Sequence, residues 1–442
     1  MGISPARTAA FDILVRIDRE NGFASELLHS ERLAPLSAAD RGLAMEIVMG
    51  VLRWRSRLDD AIQPESQRPL AKLDVEVLAA LRMAVYQVRF LSRIPPHAAI
   101  NESVKLVKRA HKRSAAPFVN AVLRKLAPKD VEPRCAPEYT AAWLAGEFAH
   151  PQWIVERWIR EFGFGRAQLI CSYDQKVPHT AIRLDDAAIE RELEAEGVEL
   201  AAGALLANAR IVTAGEVTRT RAFLEGRLFI QDEASQLVAA LVGTGSRLLD
   251  CCAAPGGKTA ALAARNPTAE IIAAELHGHR AELLRKRVPA PNVRVIQADA
   301  LQLPSNGGFD RVLADVPCSG TGTLARNPEI KWRLEPSDLG NLHQRQVAIL
   351  RAALRQIAPG GRVVYSTCSL EREECEAVVE EIVANQPQYA LVDCREELLR
   401  LRAAGELVWQ DLEALANSQF FRTIPGLQPC DGFFAAMLQG RC

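Results

Sequence analysis

The stretch Leu248-Leu-Asp-Cys-Cys-Ala-Ala-Pro-Gly-Gly-Lys-Thr259 decides the fold of the second half of this chain. Its leucines belong to an apolar run typical of a buried strand, and a turn of alanine, proline and glycine follows. A helix is predicted to begin near Gly257. Glycine lets the backbone approach a ligand closely, and the start of a helix presents unpaired N–H groups. The stretch therefore indicates a site for a nucleotide-type cofactor, with an ordinary loop as the alternative on this motif alone.

From Gln231 onward, predicted strands and helices alternate, which is typical of a parallel sheet covered by helices. The predicted strands are 247–250, 271–274, 293–296, 311–314, 362–365 and 431–438. The predicted helices are 234–242, 338–357 and 373–384. The pattern predicts an α/β domain over residues 233–442.

Residues 1–130 are predicted to be all-helical, because apolar residues recur at helical spacing. Within residues 100–113, cations at i, i+3, i+4, i+7 and i+8 share one predicted helix face without acidic partners one turn away. These cations are Lys105, Lys108, Arg109, Lys112 and Arg113. A polyanion such as RNA would relieve their mutual repulsion, whereas an ordinary solvated face is the alternative.

Charge is also distributed unevenly along the chain. The 54 basic and 54 acidic residues cancel overall, but basic residues outnumber acidic ones in residues 1–129, and the balance reverses afterwards. The front of the chain is therefore predicted to meet an anionic partner.

A charged, proline-rich segment at residues 127–137 predicts a domain boundary. Residues 138–232 are predicted to form a small α/β module that connects the helical front to the α/β domain. It begins with an aromatic helix that carries Trp143, Trp153 and Trp158, which we expect in the core. Its other predicted elements are strands at 179–184 and 227–230 and a helix at 188–196.

No run of about 18 apolar residues occurs in the sequence, so no membrane-spanning helix is expected. The first residues lack a basic segment followed by an apolar stretch, and the ten cysteines show no C-x-x-C pairing. We therefore expect a cytoplasmic protein with reduced thiols and no metal site. We also expect a monomer.

Acidic residues close or follow the first four predicted strands of the α/β domain: Asp250, Glu275, Asp299 and Asp315. Because the carboxyl ends of parallel strands meet at one edge of a sheet, we expect these carboxylates in one crevice. Glu275 lies twenty residues after Pro255, about the offset at which an acid meets a ribose in nucleoside sites. A nucleoside with a cationic sulfonium suits this acidic surface better than a triphosphate does. The pattern favours S-adenosylmethionine, with a nucleotide hydrolase as the formal rival because Lys258-Thr259 follows the glycines.

Two cysteines follow neighbouring predicted strands: Cys318 in Asp315-Val-Pro-Cys-Ser-Gly-Thr-Gly322, and Cys368 in Ser366-Thr-Cys-Ser369. Because neighbouring strands run about 4.8 Å apart, both thiols are expected at one substrate pocket. Pyrimidine C5 is a poor nucleophile, but a thiolate that adds to C6 makes C5 enamine-like and able to take a methyl group. A second group must then remove the C5 proton so that the cysteine can leave. The alternative is that both cysteines are buried and structural.

Together, these motifs resemble the signature motifs of the NOL/NOP2/Sun family of RNA cytosine-5 methyltransferases. Phe229-Ile-Gln-Asp-Glu-Ala-Ser235 and Asp431-Gly-Phe-Phe434 are similar to two further family motifs. The helical front, with Phe118-Val-Asn-Ala-Val-Leu-Arg124, is similar to the NusB-like domain of a bacterial branch that methylates 16S ribosomal RNA. The resemblance implies a Rossmann-like, S-adenosylmethionine-dependent methyltransferase domain preceded by a small α/β module and an all-α NusB-like RNA-binding domain. The implied partner is small-subunit ribosomal RNA; another RNA such as tRNA, or a non-catalytic antitermination role, is the alternative.

By motif, Cys368 resembles the family nucleophile that attacks C6, and Cys318 resembles the cysteine that releases the product. The residues alone leave these roles open, because DNA cytosine methyltransferases use a Pro-Cys cysteine as nucleophile. Asp315 is implied to meet the cytosine ring. The implied cofactor contacts are Cys252, Ala253, Ala254, Pro255, Gly256, Gly257, Lys258, Glu275, Asp299 and Asp315. Glu275 departs from the aspartate often found there, and Lys331 is a candidate RNA contact with a solvated side chain as the alternative.

Overall fold

The computed structural model describes residues 2–30, 33–126, 139–303, 307–416 and 418–441. The chain divides into two compact units. Unit 1 comprises Met1–Val177 and Leu324–Arg333, and unit 2 comprises Pro178–Thr323 and Leu334–Cys442. The segment 127–137, predicted as a boundary, lies outside the described residues.

Unit 1 is built from helices in its described part. They are Pro5–Glu20, Ala24–Leu28, Ala38–Arg53, Arg55–Ser66, Val75–Phe90, Pro96–Arg109, Ala116–Leu126, Ala141–Glu147, Gln152–Phe162, Phe164–Asp174 and Ile330–Arg333. The first helix begins where its sequence dictates, since Ser4 accepts a hydrogen bond from the N–H of Arg7 and Pro5 occupies the first helical position. Buried side chains such as Phe11, Ile47 and Leu81 form one apolar core. The prediction of an all-helical front is confirmed.

The aromatic segment predicted as one helix forms two, Ala141–Glu147 and Gln152–Phe162. Pro151 caps the second helix and has no N–H to donate to a preceding turn, which explains the interruption. Trp158 is 1% exposed and lies in the core, as expected. Both helices belong to unit 1. The chain passes from unit 1 to unit 2 after Val177, whereas the sequence predicted that the second module begins at residue 138.

The basic helix predicted over residues 100–113 is shorter than expected. It ends at Arg109, and His111 adopts a left-handed conformation with φ of 62°. Lys112 and Arg113 therefore lie outside this helix, with Arg113 at the start of a short 3-10 helix, Arg113–Ala115, and the prediction of one helix face with five cations was wrong. A left-handed residue reverses the chain direction and ends the 3.6-residue repeat on which that prediction depended.

The first part of unit 2 holds an antiparallel sheet in the spatial order β2-β3-β1-β4. Its strands are β1 (Thr180–Arg183), β2 (Glu199–Ala202), β3 (Ala209–Ala214) and β4 (Phe229–Ile230). The accompanying helices are Ala187–Ala195 and Arg221–Leu224. Strands β1 and β4 and the helix Ala187–Ala195 confirm the sequence prediction, whereas β2 and β3 were not predicted.

The second sheet of unit 2 has the order β10-β12-β9-β8-β5-β6-β7, and β11 pairs with β12. Its strands are β5 (Arg247–Asp250), β6 (Glu270–Glu275), β7 (Val293–Gln297), β8 (Phe309–Asp315), β9 (Ile357–Thr367), β10 (Tyr389–Val392), β11 (Phe421–Arg422) and β12 (Phe434–Gly440). Its helices are Glu233–Val242, Gly257–Arg265, Gly278–Arg287, Asp338–Leu354, Glu376–Asn385 and Cys394–Ala403. Strands β5 to β9 are parallel, and β12 is antiparallel to β9. The predicted Rossmann-like α/β fold is confirmed.

Helices cover both faces of this sheet. Neighbouring residues along a strand point to opposite faces, and Leu248 and Leu249 accordingly pack in two different apolar clusters. Ile271 and Ile272 divide in the same way. Strands buried on both faces read as continuous apolar runs, which is why the sequence revealed them.

Strand β9 differs from its prediction at the N-terminal end. The preceding helix ends at Leu354 rather than at residue 357, and β9 begins at Ile357. The pairing of β8 with β9 shifts register between Phe309 and Arg311, and the extra residues on β9 include the Pro-Gly-Gly sequence 359–361. Proline and glycine therefore mark an irregular part of a strand here, not the loop before it.

The chain leaves unit 2 after Thr323, and Leu324–Arg333 packs within unit 1. Glu329 accepts a hydrogen bond from the N–H of Ala24 at 2.8 Å. The indole Nε1 of Trp332 donates to the carbonyl oxygen of Leu52 at 2.6 Å. Side-chain contacts thus hold this segment among helices that lie about 300 residues earlier in the sequence. Among the described helices of both units, none has the length and apolarity needed to cross a membrane.

Candidate active site

The carboxyl ends of β8, β5, β6 and β7 lie side by side along one edge of the second sheet. Asp315 is the last residue of β8, Asp250 of β5 and Glu275 of β6, and Asp299 follows the end of β7. The strand order thus brings the four predicted carboxylates to the same edge. At this edge of an open parallel sheet, loops form the ligand crevice.

Asp250 stabilises the loop that follows β5. It is 1% exposed, and its Oδ2 accepts a hydrogen bond from Thr259 Oγ1 at 2.8 Å. The N–H of Cys252 points at its other oxygen at 3.4 Å. Burial raises the pKa of Asp250 to about 7. The hydrogen bonds of the Asp250 side chain therefore stabilise the conformation of this loop.

The turn of this loop requires glycine at Gly256. Its φ is +113°, a backbone conformation that side chains rarely adopt. A Cβ there would also lie 2.8 Å from Val288 and 2.9 Å from Leu284. The helix Gly257–Arg265 starts immediately afterwards, so its free N–H groups face the sheet edge.

Two of the edge carboxylates retain capacity for further hydrogen bonds. Glu275 is 5% exposed, and its Oε1 accepts from the N–H of His277 at 2.9 Å. Arg280 lies 3.9 Å from its other oxygen. Asp299 accepts from the N–H of Leu301 at 2.9 Å. Because a carboxylate accepts about four hydrogen bonds, both side chains can take donors such as ribose hydroxyls or an adenine amine.

A buried acceptor also lies beside the start of the helix at Gly257. The side chain of Gln231 donates to Ser235 Oγ at 3.0 Å, while its Oε1 is buried and has no hydrogen-bond partner within the described part of the chain. A Cβ at Gly257 would lie 3.3 Å from the Gln231 side chain. S-adenosylmethionine carries an amino group, ribose hydroxyls and an adenine amine, all of them donors. The acceptors at this edge fit it.

An ion pair joins the β5 loop to the end of β8. Lys258 Nζ lies 2.8 Å from Asp315 Oδ2, and Ser366 Oγ donates to Asp315 Oδ1 at 2.7 Å. Lys258 also lies 5.0 Å from the centre of the Phe433 ring, in a cation–π contact. Burial lowers the pKa of Lys258, but Asp315, Cys368 and Asp250 together raise it, so that this pKa lies above its ordinary value. Lys258 is therefore a fixed positive charge at this site.

The two cysteines meet next to this ion pair. Strands β8 and β9 are parallel neighbours in which Asp315 is aligned with Ser366, so the loops that follow them start at the same level. The Sγ atoms of Cys318 and Cys368 are 3.3 Å apart, and both side chains are half-buried. The hydrogen bond to Cys368 is the largest cause, and burial the second, of a pKa of Cys318 that lies well above its ordinary value. The expected juxtaposition of the two thiols is present.

Two glycines bring a third motif to the cysteine loops. The N–H of Gly322 donates to the carbonyl oxygen of Cys368 at 2.9 Å, and the N–H of Gly432 donates to the carbonyl oxygen of Gly322 at 2.7 Å. A Cβ at Gly322 would lie 2.1 Å from the carbonyl oxygen of Gly432. Both glycines stood in motifs quoted from the sequence, but their contact was not predicted.

Glu374 is a site residue that sequence reasoning missed. It is fully buried, and its carboxylate accepts hydrogen bonds from residues next to both cysteines. It is surrounded in sequence by other acids that lie before or at the start of the helix Glu376–Asn385: Glu371, Glu373 and Glu376. Acidic residues are common at this position because the positive end of the helix dipole attracts them. That pattern contains no signal that separates a buried carboxylate from its neighbours.

The basic residues of unit 1 are less available than the sequence predicted. Arg109 donates to both carboxylate oxygens of Asp12 at 2.8 Å, and Lys112 Nζ lies 3.0 Å from Asp74. Asp12 lies on the first helix and Asp74 immediately precedes the helix Val75–Phe90, so a search for partners one turn away could not find them. Among the five cations, Lys108, Arg109 and Arg113 are exposed.

Lys331 does not have the surface position expected of an RNA contact. It is 1% exposed, and its Nζ donates to the carbonyl oxygen of Arg53 at 3.1 Å. Burial lowers the pKa of Lys331 to about 7. This corrects both sequence interpretations, RNA contact and solvated side chain, because the segment around Lys331 packs into the helical unit.

Residues 241–439 match the family model described as 16S rRNA methyltransferase RsmB/F, and residues 4–128 match the model of the NusB family. Ribosomal RNA small subunit methyltransferase B from Xanthomonas campestris pv. campestris is 32% identical over 418 residues, which cover 90% of this chain and 89% of that protein. The chain belongs to the 16S rRNA methyltransferase RsmB/F family. The resemblance noted in the sequence motifs is thereby confirmed.

Further comparisons agree with this membership. The Bacillus subtilis (strain 168) protein named "Probable ribosomal RNA small subunit methyltransferase B" is 32% identical over 398 residues, covering 87% of this chain and 89% of that protein. The crystal structure of PH0851 has a TM-score of 0.81 and 23% sequence identity, and the match covers 99% of both chains. At that identity the structural likeness shows the fold alone.

Proposed function

We propose that this protein transfers a methyl group from S-adenosylmethionine to C5 of a cytosine in 16S ribosomal RNA, through a covalent bond between Cys368 and C6. The observation that carries this proposal is the pair of thiols 3.3 Å apart at the ends of β8 and β9. Methylation at C5 is a reaction that needs both an addition to C6 and a later elimination. Two nucleophilic groups at one site match those two steps.

Cys368 is the attacking group in this proposal. Its thiolate adds to C6, and the electron pair of the C5–C6 double bond moves to C5, where the methyl group is accepted. The positive charge of Lys258 lies close enough for its pKa to respond to Cys368 as well as to Asp315, and such a cation favours a thiolate. Asp315, held by Lys258 and Ser366, faces the same site and is proposed to bind the cytosine ring.

Cys318 is the releasing group. After methyl transfer, a base removes the C5 proton, the electron pair re-forms the C5–C6 double bond, and the bond between C6 and the Cys368 sulfur breaks. The hydrogen bond to Cys368 raises the pKa of Cys318, which favours the thiol form of Cys318 before the adduct forms. Once the Cys368 sulfur is bound to C6, that interaction ends, Cys318 can release its own proton to solvent, and the resulting thiolate takes the C5 proton.

The cofactor would be held by the loop from Cys252 to Lys258, with Glu275 at the ribose hydroxyls and Asp299 near the adenine amine. When bound, S-adenosylmethionine supplies an electrophilic methyl group on a sulfonium. The acidic sheet edge stabilises that positive charge, and the buried Gln231 Oε1 is available to its amino group.

The RNA target rests on the relatives, which are named as small-subunit ribosomal RNA methyltransferases. We also propose a cytoplasmic location, which suits a substrate of this kind. Purified protein incubated with labelled S-adenosylmethionine and either 16S ribosomal RNA or tRNA is expected to yield 5-methylcytosine in the ribosomal RNA. Mass mapping identifies the modified base. Label that appears only in tRNA, or on another atom of the base, would contradict the proposal.

Replacing Glu275 with alanine tests the cofactor site. Charge-assisted hydrogen bonds contribute about 1.5–3 kcal/mol each, so the variant is expected to bind S-adenosylmethionine about tenfold more weakly or worse. Calorimetry measures the affinity. Glu270→Ala is the matched control, because Glu270 lies at the opposite end of the same strand and is exposed. Wild-type affinity in Glu275→Ala would mean that the ribose is held elsewhere.

Replacing Lys105, Lys108 and Arg113 together with alanine tests RNA binding by unit 1. Each phosphate contact adds roughly 0.7–0.9 to the slope of log affinity against log salt concentration. The triple variant is therefore expected to bind RNA more weakly and with a shallower slope, while its affinity for S-adenosylmethionine is unchanged. Arg109→Ala is the control, because Asp12 already neutralises Arg109. A slope equal to wild type in the triple variant would return these cations to an ordinary solvated surface.

A further inference from the structure

Glu374 lies between the two cysteine loops. Its Oε1 accepts hydrogen bonds from the backbone N–H of Ser319 at 2.8 Å and from Gln346 Nε2 at 2.8 Å. Its Oε2 accepts from the hydroxyls of Ser319 and Ser369, the latter at 2.6 Å. Ser319 directly follows Cys318, and Ser369 directly follows Cys368. One carboxylate is therefore bonded to the neighbour of each cysteine.

The main chain of Glu374 is fixed as well. Its carbonyl oxygen accepts a hydrogen bond from the hydroxyl of Tyr365 at 2.6 Å, and Tyr365 belongs to β9. Gln346, the remaining donor, lies on the helix Asp338–Leu354 and also donates to the carbonyl oxygen of Pro317 at 3.0 Å. The sheet and a covering helix thus hold the carboxylate from two sides, and it has little freedom to move.

We propose that Glu374 is a positioning residue of the two-cysteine site: its carboxylate fastens the Cys318 and Cys368 loops to each other, so that both thiols face one base. The inference rests on the proposed function, because it assigns Glu374 a part in that reaction. Glu374 itself is fully buried, so its part in the reaction is not a direct contact with the base. It acts on the cysteines through Ser319 and Ser369.

A carboxylate suits this position because it only accepts hydrogen bonds. Its two oxygens have about four lone-pair sites, and the four donors fill them. The N–H of Ser319 and the amide group of Gln346 are fixed donors, whereas the two serine hydroxyls can donate or accept. A glutamine at position 374 can therefore keep the arrangement, with its oxygen toward the fixed donors and its NH₂ toward the hydroxyls.

The charge of Glu374 also reaches Cys318. The hydrogen bond to Cys368 and burial are the largest causes of the raised pKa of Cys318, and the negative charges of Cys368 and Glu374 act in the same direction. Removing the Glu374 charge makes the Cys318 thiolate easier to form. Glu374→Gln is therefore expected to keep the loops together and to lower the pKa of Cys318.

The experiment compares Glu374→Ala, Glu374→Gln and the matched control Glu380→Ala. Glu380 is exposed on the helix that follows and pairs only with Arg372 among the contacts described. Misplacing a reacting group by about 1 Å costs roughly a hundredfold in rate, so Glu374→Ala is expected to lower kcat by that order. The KM values for RNA and S-adenosylmethionine are expected to stay within about twofold of wild type. Glu374→Gln is expected to restore kcat to within about fivefold, and Glu380→Ala to match wild type.

Two readouts separate positioning from general stability. The first is the pH dependence of Cys318 alkylation by iodoacetamide, followed on the Cys318 peptide by mass spectrometry, which is expected to shift to lower pH in Glu374→Gln. The second is the covalent RNA complex in a Cys318→Ala background, which is expected to form more slowly when Glu374→Ala is added. Melting temperature and cofactor affinity check that each variant is folded.

Wild-type kcat and an unchanged alkylation profile in folded Glu374→Ala would overturn the inference. If Glu374→Ala does not fold, the inference is tested with Ser319→Ala and Ser369→Ala, because each variant removes one hydroxyl that donates to Glu374. Wild-type kcat in both serine variants would also overturn the inference. Failure of the proposed function looks different, because Cys318→Ala and Cys368→Ala would then leave methylation intact. If the cysteine variants lose activity and the Glu374 variants do not, only the role of Glu374 is wrong.

Discussion

Cys368→Ala is expected to abolish methyl transfer and to leave no covalent complex between protein and RNA. Without a thiolate to add to C6, C5 does not become nucleophilic, and nothing accepts the methyl group. Incorporation of labelled methyl groups into 16S ribosomal RNA measures the loss, and denaturing gel electrophoresis detects any covalent complex. Binding of S-adenosylmethionine is expected to stay at the wild-type level, because Cys368 is not among the proposed cofactor contacts.

The control for Cys368→Ala is Cys394→Ala, which removes a buried thiol of the same unit outside the two cysteine loops. It is expected to retain methylation. If Cys368→Ala instead accumulated an RNA adduct, Cys318 would be the attacking group and the two roles would be exchanged. If the variant methylated normally, the adduct mechanism would be wrong for this protein.

Cys318→Ala is expected to methylate the cytosine once and then stall with the RNA attached. Cys368 can still add to C6, but the group proposed to take the C5 proton is absent, so elimination fails. The stalled complex is expected to survive denaturing electrophoresis and to carry the labelled methyl group. Turnover is expected to fall to a single event for each protein molecule.

The double variant Cys318→Ala/Cys368→Ala is the decisive comparison for this stall. It removes the attacking thiol as well, so the covalent complex is expected to disappear. A complex that persists in the double variant would come from another residue. A Cys318→Ala variant that turns over at the wild-type rate would assign proton removal to a different base.

The sequence alone determined the order of strands and helices in the α/β domain. Strands buried on both faces, such as β5 and β8, contain short apolar runs that can be recognised in the sequence. The turn after β5 can be recognised as well, because alanine, proline and two glycines follow one another there. Parallel strands separated by helices place their carboxyl ends on one edge, so the edge acids Asp250, Glu275 and Asp315 followed from local pattern and topology. The meeting of Cys318 and Cys368 followed from the same topology, because the strands before them are neighbours.

Sequence patterns were less informative wherever a partner is distant in the chain. Asp12 pairs with Arg109, and Asp74 pairs with Lys112, across about 97 and 38 residues, so helix-periodic spacing could not reveal that these cations already have partners. The end of the basic helix at Arg109 depends on one left-handed residue, His111, whose conformation no apolar pattern records.

Only the tertiary structure decided which charged side chains are buried. Lys331 and Glu374 look like surface residues in sequence, since most lysines and glutamates are exposed. Lys331 is buried because the segment 324–333 packs into the helical unit, and Glu374 is buried because four donor groups, on Ser319, Gln346 and Ser369, surround it. Local sequence specifies strands, turns and helix starts through short-range interactions. The burial and partners of a charged group are set by long-range packing, which no short stretch of sequence contains.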